Sequence, residues 1–89
     1  MSSRLSVDAP SVTLGASQRE WLAALYQSNF PAVLHLCRSV LKNPDDAADA
    51  TQEVFLVAAR SLDRNASDAR ARAWLLTVAK NHCVDLLRR

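Results

Sequence analysis

Arg70, Thr77, Lys80, Asn81, Val84 and Arg88 recur on one side of a helical repeat at the end of the 89-residue chain, with almost no carboxylate among them. Guanidinium and ammonium groups neutralise phosphates, and an Asn amide donates and accepts together, so it reads a base edge where a point charge does not. Nucleic acid is the chemistry this strip suits. A solvated basic face is the plain alternative, and the strip alone does not separate the two.

Two other constellations bear on that choice. Asp49, Gln52, Glu53, Leu56 and Arg60 share a helical face, in which acids flank an outward Leu. Such a face suits docking on a basic, partly apolar protein surface, with charge governing approach and the apolar contact supplying affinity. The alternative is an ordinary solvated face, although Asp49 and Glu53, as like charges four residues apart, slightly destabilise an isolated helix. Between the two faces lies Leu62-Asp63-Arg64-Asn65-Ala66-Ser67-Asp68-Ala69, a polar connector. Placed directly before the basic helix, its Arg64, Asn65 and Ser67 could hold an unstacked base, whereas its composition alone reads as a plain loop.

Catalysis and metal binding are poorly served. No Ser, His and acid arrangement stands out, and a chain with one Gly has no phosphate-cradling Gly loop. Cys37 and Cys83 sit beside His35 and His82 at spacings of two and one. Two ligands on one helix favour steps of three or four, so the thiols read as small packing groups, with no metal and no cofactor. The expectation is a protein that is not an enzyme.

The elements that position these groups follow from size and pattern. Eighty-nine residues allow one domain, which buries only roughly 60% of the unfolded chain's surface. Two Cys with no signal-like start point to a cytosolic, reduced chain, and no apolar run approaches the ~18 residues of a membrane span. The net charge of +2 decides nothing, but its distribution does. Four acids and no base lie between Asn43 and Ala59, whereas Arg60 to Arg89 carry seven bases against three acids. The two segments present opposite potentials.

Residues 1–16, Ser-rich with Pro10 and Gly15, read as a mobile tail. Ser17-Gln18-Arg19-Glu20 has the form of a capping box and predicts a helix start. Trp21, Leu22, Leu25 and Tyr26 share a face, Phe30-Pro31 predicts a break or kink, and Val33, Leu34, Cys37, Val40 and Leu41 carry the stripe to about Lys42. One kinked helix and two separate helices both fit. Asn43-Pro44-Asp45-Asp46 is the strongest helix start, running to about Leu62 with Ala47, Ala50, Thr51, Val54, Phe55, Ala58 and Leu62 inward. Ser67 or Asp68 caps the final helix, whose buried stripe is predicted to be Trp74, Leu75, Val78, Ala79, His82 and Leu86. The fold class is all-α, a compact bundle of three to four helices over residues 17–89.

Asn43-Pro44-Asp45-Asp46-Ala47-Ala48-Asp49-Ala50-Thr51-Gln52-Glu53-Val54-Phe55-Leu56, then Arg72-Ala73-Trp74-Leu75-Leu76-Thr77-Val78-Ala79-Lys80-Asn81, then Asp85-Leu86-Leu87-Arg88-Arg89 together resemble region 2 of a bacterial sigma factor of the extracytoplasmic-function group. Leu25-Tyr26 with Phe30-Pro31 is similar to the opening of the same region. The resemblance implies a helical domain that binds core RNA polymerase and the minus-ten promoter element. It implies polymerase contacts, on the clamp helices of the largest subunit, at Asp49, Gln52, Glu53 and Leu56. It places the non-template strand of promoter DNA on Arg64 through Ser67, with Asn65 among them, and on Arg72, Thr77, Lys80, Asn81, Arg88 and Arg89. Asn81 is then the base reader and the cations are phosphate clamps.

Departures accompany the resemblance. Many members carry an aromatic where Ala71 stands and an aromatic or Arg around Leu76 and Thr77, so strand capture here depends more on the loop and on charge. Ala50 replaces a bulkier aliphatic. The family's second DNA-binding domain does not follow Arg89, which implies a fragment or a partner chain elsewhere. The run from Leu75 to Lys80 near Val84 to Leu87 is similar to the iron-starvation subgroup, which implies an anti-sigma partner. The rival of a different class is a small helical protein-interaction module without nucleic-acid binding.

Overall fold

Three helices, Ala16–Leu41 (α1), Pro44–Ser61 (α2) and Asp68–Leu87 (α3), account for almost all of residues 16–89, which the structure, a computed structural model, describes. There is no strand among the described residues, and the all-α bundle forms with the lower of the two expected helix counts. The expected tail lies outside the described residues, apart from Ala16, which is the first residue of α1.

Each helix packs on the other two. Only Lys42 and Asn43 join α1 to α2. The chain reverses there through Lys42, which has a left-handed φ of 68° and donates its N–H to the Arg38 carbonyl. Near the start of α1, Arg64 from the loop after α2 reaches Ser17, so α2 runs antiparallel to α1. Arg72 near the start of α3 reaches Ser28, and further along Ala32, Leu36 and Ser39 face Leu76, Thr77 and Lys80. α3 therefore runs parallel to α1.

The core is built of small and medium side chains: Leu25, Val33 and Cys37 from α1; Ala47, Ala50, Val54, Phe55 and Ala58 from α2; Ala71, Leu75, Ala79 and Cys83 from α3. The many alanines let the helices approach closely. Trp21, Tyr26, Phe30 and Trp74 close the core from the sides as half-buried rings. Thr51, fully buried, is satisfied by donating to the Ala47 carbonyl at 2.8 Å.

Two sequence expectations are corrected, and one open alternative is decided. The capping box does not form, because α1 already begins at Ala16 and Ser17 lies inside its first turn. Its hydroxyl instead accepts from Arg64 Nη1. Of the two arrangements that fit Phe30-Pro31, the single helix forms: α1 is one helix of 26 residues with Pro31 inside it. Pro31 has no N–H for the Gln27 carbonyl, and Phe30 stacked on Tyr26 at 4.9 Å and the buried Val33 hold the next turn. On α3 the buried row is Ala71, Leu75, Ala79 and Cys83. The stripe is rotated by about one residue, so His82, Val78 and Leu86 are half-buried flanks, and Val84, expected outside, is half-buried too.

Candidate functional site

The acidic face stands on a firmly started helix. Asn43 is the N-cap of α2, and its side-chain oxygen accepts from Asp45 N at 2.9 Å and Asp46 N at 3.1 Å. Pro44 follows in the first turn with Asp45 and Asp46, which meet the positive end of the helix dipole. With Ala47, Ala50, Thr51, Val54, Phe55 and Ala58 buried, the helix has no freedom in which face it presents. Asp49, Gln52, Glu53 and Arg60 are exposed, and Leu56 is 53% exposed, a large apolar side chain left in water between carboxylates and a guanidinium. Gln52 is tethered: its Nε2 donates to the Tyr26 hydroxyl at 3.0 Å, and the Tyr26 ring lies tilted on Phe55 at 4.7 Å. Asp49 and Glu53 make no side-chain bond among the described residues.

The basic helix begins at Ser67, whose Oγ accepts from Arg70 N at 3.2 Å and whose carbonyl accepts from Ala71 N at 2.8 Å. Ser67 rather than Asp68 is the cap. The loop before it is a tight turn, with Asn65 N donating to Asp63 Oδ1 at 2.9 Å and Ala66 N to the Asp63 carbonyl at 3.0 Å. Between loop and helix lies a recess of about 340 Å³, walled by Leu62 and Trp74 and edged by Asn65, Ser67 and Arg70. Trp74, expected in the core, thus does two things: one part packs against the buried cluster and another lines this recess.

Thr77, Lys80, Asn81, Arg88 and Arg89 are exposed. Thr77 and Lys80 border an apolar groove of about 490 Å³ whose other wall is Ala32, His35 and Leu36 of α1. Arg88 also closes α3, its backbone N–H donating to the Val84 and Asp85 carbonyls at 3.2 Å each. The remaining two cations are partly committed within the chain. Arg64 donates through Nη1 and Nη2 to the Ser17 hydroxyl and carbonyl, both at 3.4 Å, and Arg72 donates through Nη2 to the Ser28 carbonyl at 3.1 Å. Both are exposed, so the rest of each guanidinium faces solvent.

The sequence reading gave α1 no part in this region. Yet Trp21 and Asn29, with Asp68 and Arg72, line a second recess of about 310 Å³ beside the start of α3. Asn29 is 6% exposed and donates to the Leu25 carbonyl at 3.0 Å. Its signal was available: Asn29 stands midway between Leu25 and Val33 at steps of four, an amide on a core row.

The thiols and imidazoles do not converge as metal ligands, and no group of three His, Cys, Asp or Glu that could hold a metal occurs among the described residues. Cys37 and Cys83 are fully buried and free. Burial pushes the Cys83 thiol up to about 12, helped by the hydrogen bond and charge of the Cys37 thiol beside it. No helix among the described residues is long and apolar enough to cross a membrane.

The chain thus carries, on one small bundle, an exposed acidic face with a bare Leu and an exposed cationic face that continues into a recessed loop. No curated protein and no solved structure matches it closely enough to be counted a relative. The family model for sigma-70 region 2, a non-enzymatic domain type that serves RNA polymerase binding and promoter melting, matches residues 25–89. That span takes in most of α1, all of α2, the connecting loop and α3, and the chain belongs to the sigma-70 region 2 family.

Proposed function

We propose that the chain is the region 2 domain of an extracytoplasmic-function sigma factor, with α2 holding core RNA polymerase while α3 and the loop before it hold the opened non-template strand of the minus-ten element. The observation that carries this reading is the separation of the two faces. Asp49, Glu53 and Leu56 are exposed on one helix, and Thr77, Lys80 and Asn81 are exposed on another, each turned out by a different buried row.

On the polymerase side, Asp49 and Glu53 steer a basic clamp surface and Leu56 gives up its water on contact. Gln52 is presented at a fixed angle by Tyr26. On the DNA side, Asn81 reads a base edge, while Lys80, Arg72, Arg88 and Arg89 neutralise phosphates. Asn65, Ser67 and Arg70 edge the loop recess, where Trp74 offers an apolar wall to an unstacked base, and Arg64 extends from the same loop. Ala71 is buried, so the aromatic common at that position in the resembling group is replaced by a core contact. Strand capture therefore rests on the loop and on charge.

The domain is taken to extend over residues 17–89, to which α1 adds Ala16. It acts in the cytoplasm, under an anti-sigma factor, and the run from Leu75 to Lys80 supports the iron-starvation subgroup. The test is fluorescence anisotropy of a labelled non-template-strand library at several salt concentrations. Binding that favours one minus-ten-like motif and weakens steeply with salt is expected. Absence of any oligonucleotide binding at low salt would replace this reading with that of a protein-interaction module acting through α2.

A further inference from the structure

Cys37 and Cys83 belong to different helices, and both are 0% exposed within one core cluster. The Cys37 thiol is among the groups that raise the Cys83 thiol, so the two side chains are neighbours. The helix register places the two at similar heights along the bundle. From the Ser28–Arg72 contact, nine residues along α1 lead to Cys37 and eleven along the parallel α3 lead to Cys83, advances of about 14 and 17 Å at 1.5 Å per residue. No metal-ligand group among the described residues claims either sulfur. Two free thiols in one core cluster, on adjacent helices at similar heights, are the starting arrangement for a disulfide.

We propose that Cys37 and Cys83 are an oxidation site, at which hydrogen peroxide closes an intrachain disulfide between α1 and α3. One thiolate attacks a peroxide oxygen, the O–O bond breaks, and a sulfenic acid and one water result. The second thiol then attacks that sulfur, the Sγ–Sγ bond forms, and the sulfenic oxygen leaves as a second water. Each sulfur is oxidised by one electron, the two peroxide oxygens are reduced, and both thiol protons end in water.

The site is built to react slowly. Burial keeps the oxidant out and holds the Cys83 thiol protonated at neutral pH, so the pair resists brief exposure. Entry requires local opening. Cys37 lies one turn before α1 ends at Leu41, and helix ends open at lower free energy than helix centres. Closed, the bond ties residues 38–82 into a loop and restricts the unfolded chain. Lys80, Asn81, Asp49 and Glu53 lie on other faces, so the staple acts on stability and leaves both binding surfaces in place.

The experiment treats the whole 89-residue chain with hydrogen peroxide, unfolds it in an alkylating agent, and maps the products by mass spectrometry. A monomer lighter by two hydrogens, with one linked peptide pair containing Cys37 and Cys83, is expected. Dithiothreitol should reverse the link, and the linked form should unfold at a higher urea midpoint than the reduced form. Cys37→Ala and Cys83→Ala should each give no linked monomer. Full alkylation of both thiols after treatment, sulfinic acid at either, or disulfide-linked dimers alone would overturn the assignment. Mapping the unsubstituted chain gives the answer even where a variant fails to fold, and it is independent of the promoter reading.

Discussion

Leu75→Ala and Trp74→Ala, adjacent residues of α3, should separate the fold from the binding surface. Leu75 is 0% exposed and heads the large side chains that are fully buried. Deleting its branched end leaves a cavity among alanines that cannot close around it, a loss of about 3 kcal/mol. A domain of this size is stable by about 4 to 11 kcal/mol. With a urea dependence of about 1 kcal/mol per molar, the unfolding midpoint followed by circular dichroism should fall by roughly 3 M. Trp74 is larger but only half-buried, so its truncation should cost about half of the 3 to 5 kcal/mol typical of a buried ring. The order reverses for oligonucleotide affinity measured below both unfolding transitions: Trp74→Ala removes a wall of the loop recess, and Leu75→Ala touches nothing outside the core. If Trp74→Ala proved the more destabilising, or left strand affinity unchanged, the division of Trp74 between core and recess would be wrong.

Glu53→Arg, reversing an exposed charge, should abolish co-purification with core RNA polymerase while the helical circular dichroism stays intact, and retained co-purification would remove α2 from that role. Lys80→Ala should lower the slope of log affinity against log salt by about 0.7 without changing base preference. Asn81→Ala should flatten that preference at one position, and an identical effect of the two substitutions would refute their separate roles. Asn43→Ala strips the acceptor from Asp45 N and Asp46 N and should cost about 1 kcal/mol in thermal denaturation, with Asn43→Asp close to neutral. The Cys83 thiol is raised from 9.0 to about 12 in the fold, chiefly by burial and then by Cys37, so the folded state holds this proton more tightly than the unfolded state. That contribution is complete below pH 9 and is lost as pH rises towards 12. The urea midpoint should therefore drop across this window, and Cys83→Ala should reduce the drop.

Helix α2 was readable because local and long-range signals coincide in it: Asn43 and Pro44 fix the start, and the alanine-rich stripe fixes the buried side. The face of α3 was read about one residue off, since Leu75, Ala79, His82 and Leu86 make as regular a stripe as Leu75, Ala79 and Cys83, and only packing on α1 selects the small thiol over the imidazole. Ser17 was misread because a capping box is a local motif, and the contact that engages Ser17 comes from Arg64. Pro31 left one helix or two open for a similar reason: the ring stack of Tyr26 and Phe30, which spans that turn, is visible only in the fold. Exposure of the helical contact residues was legible from periodicity; the recess at the start of α3 was not, because Trp21 and Asn29 join it only through the tertiary fold.

Gln52 leans on Tyr26 and Arg72 on Ser28, so a member of each presumed contact set is moored to the same turn of α1, two residues apart. Replacing either side chain therefore cuts a strut inside the molecule as well as a grip on something outside it, and its measured loss will mix the two. Glu53, Lys80 and Asn81, whose side chains have no such mooring among the described residues, are the positions where a lost grip is read undiluted.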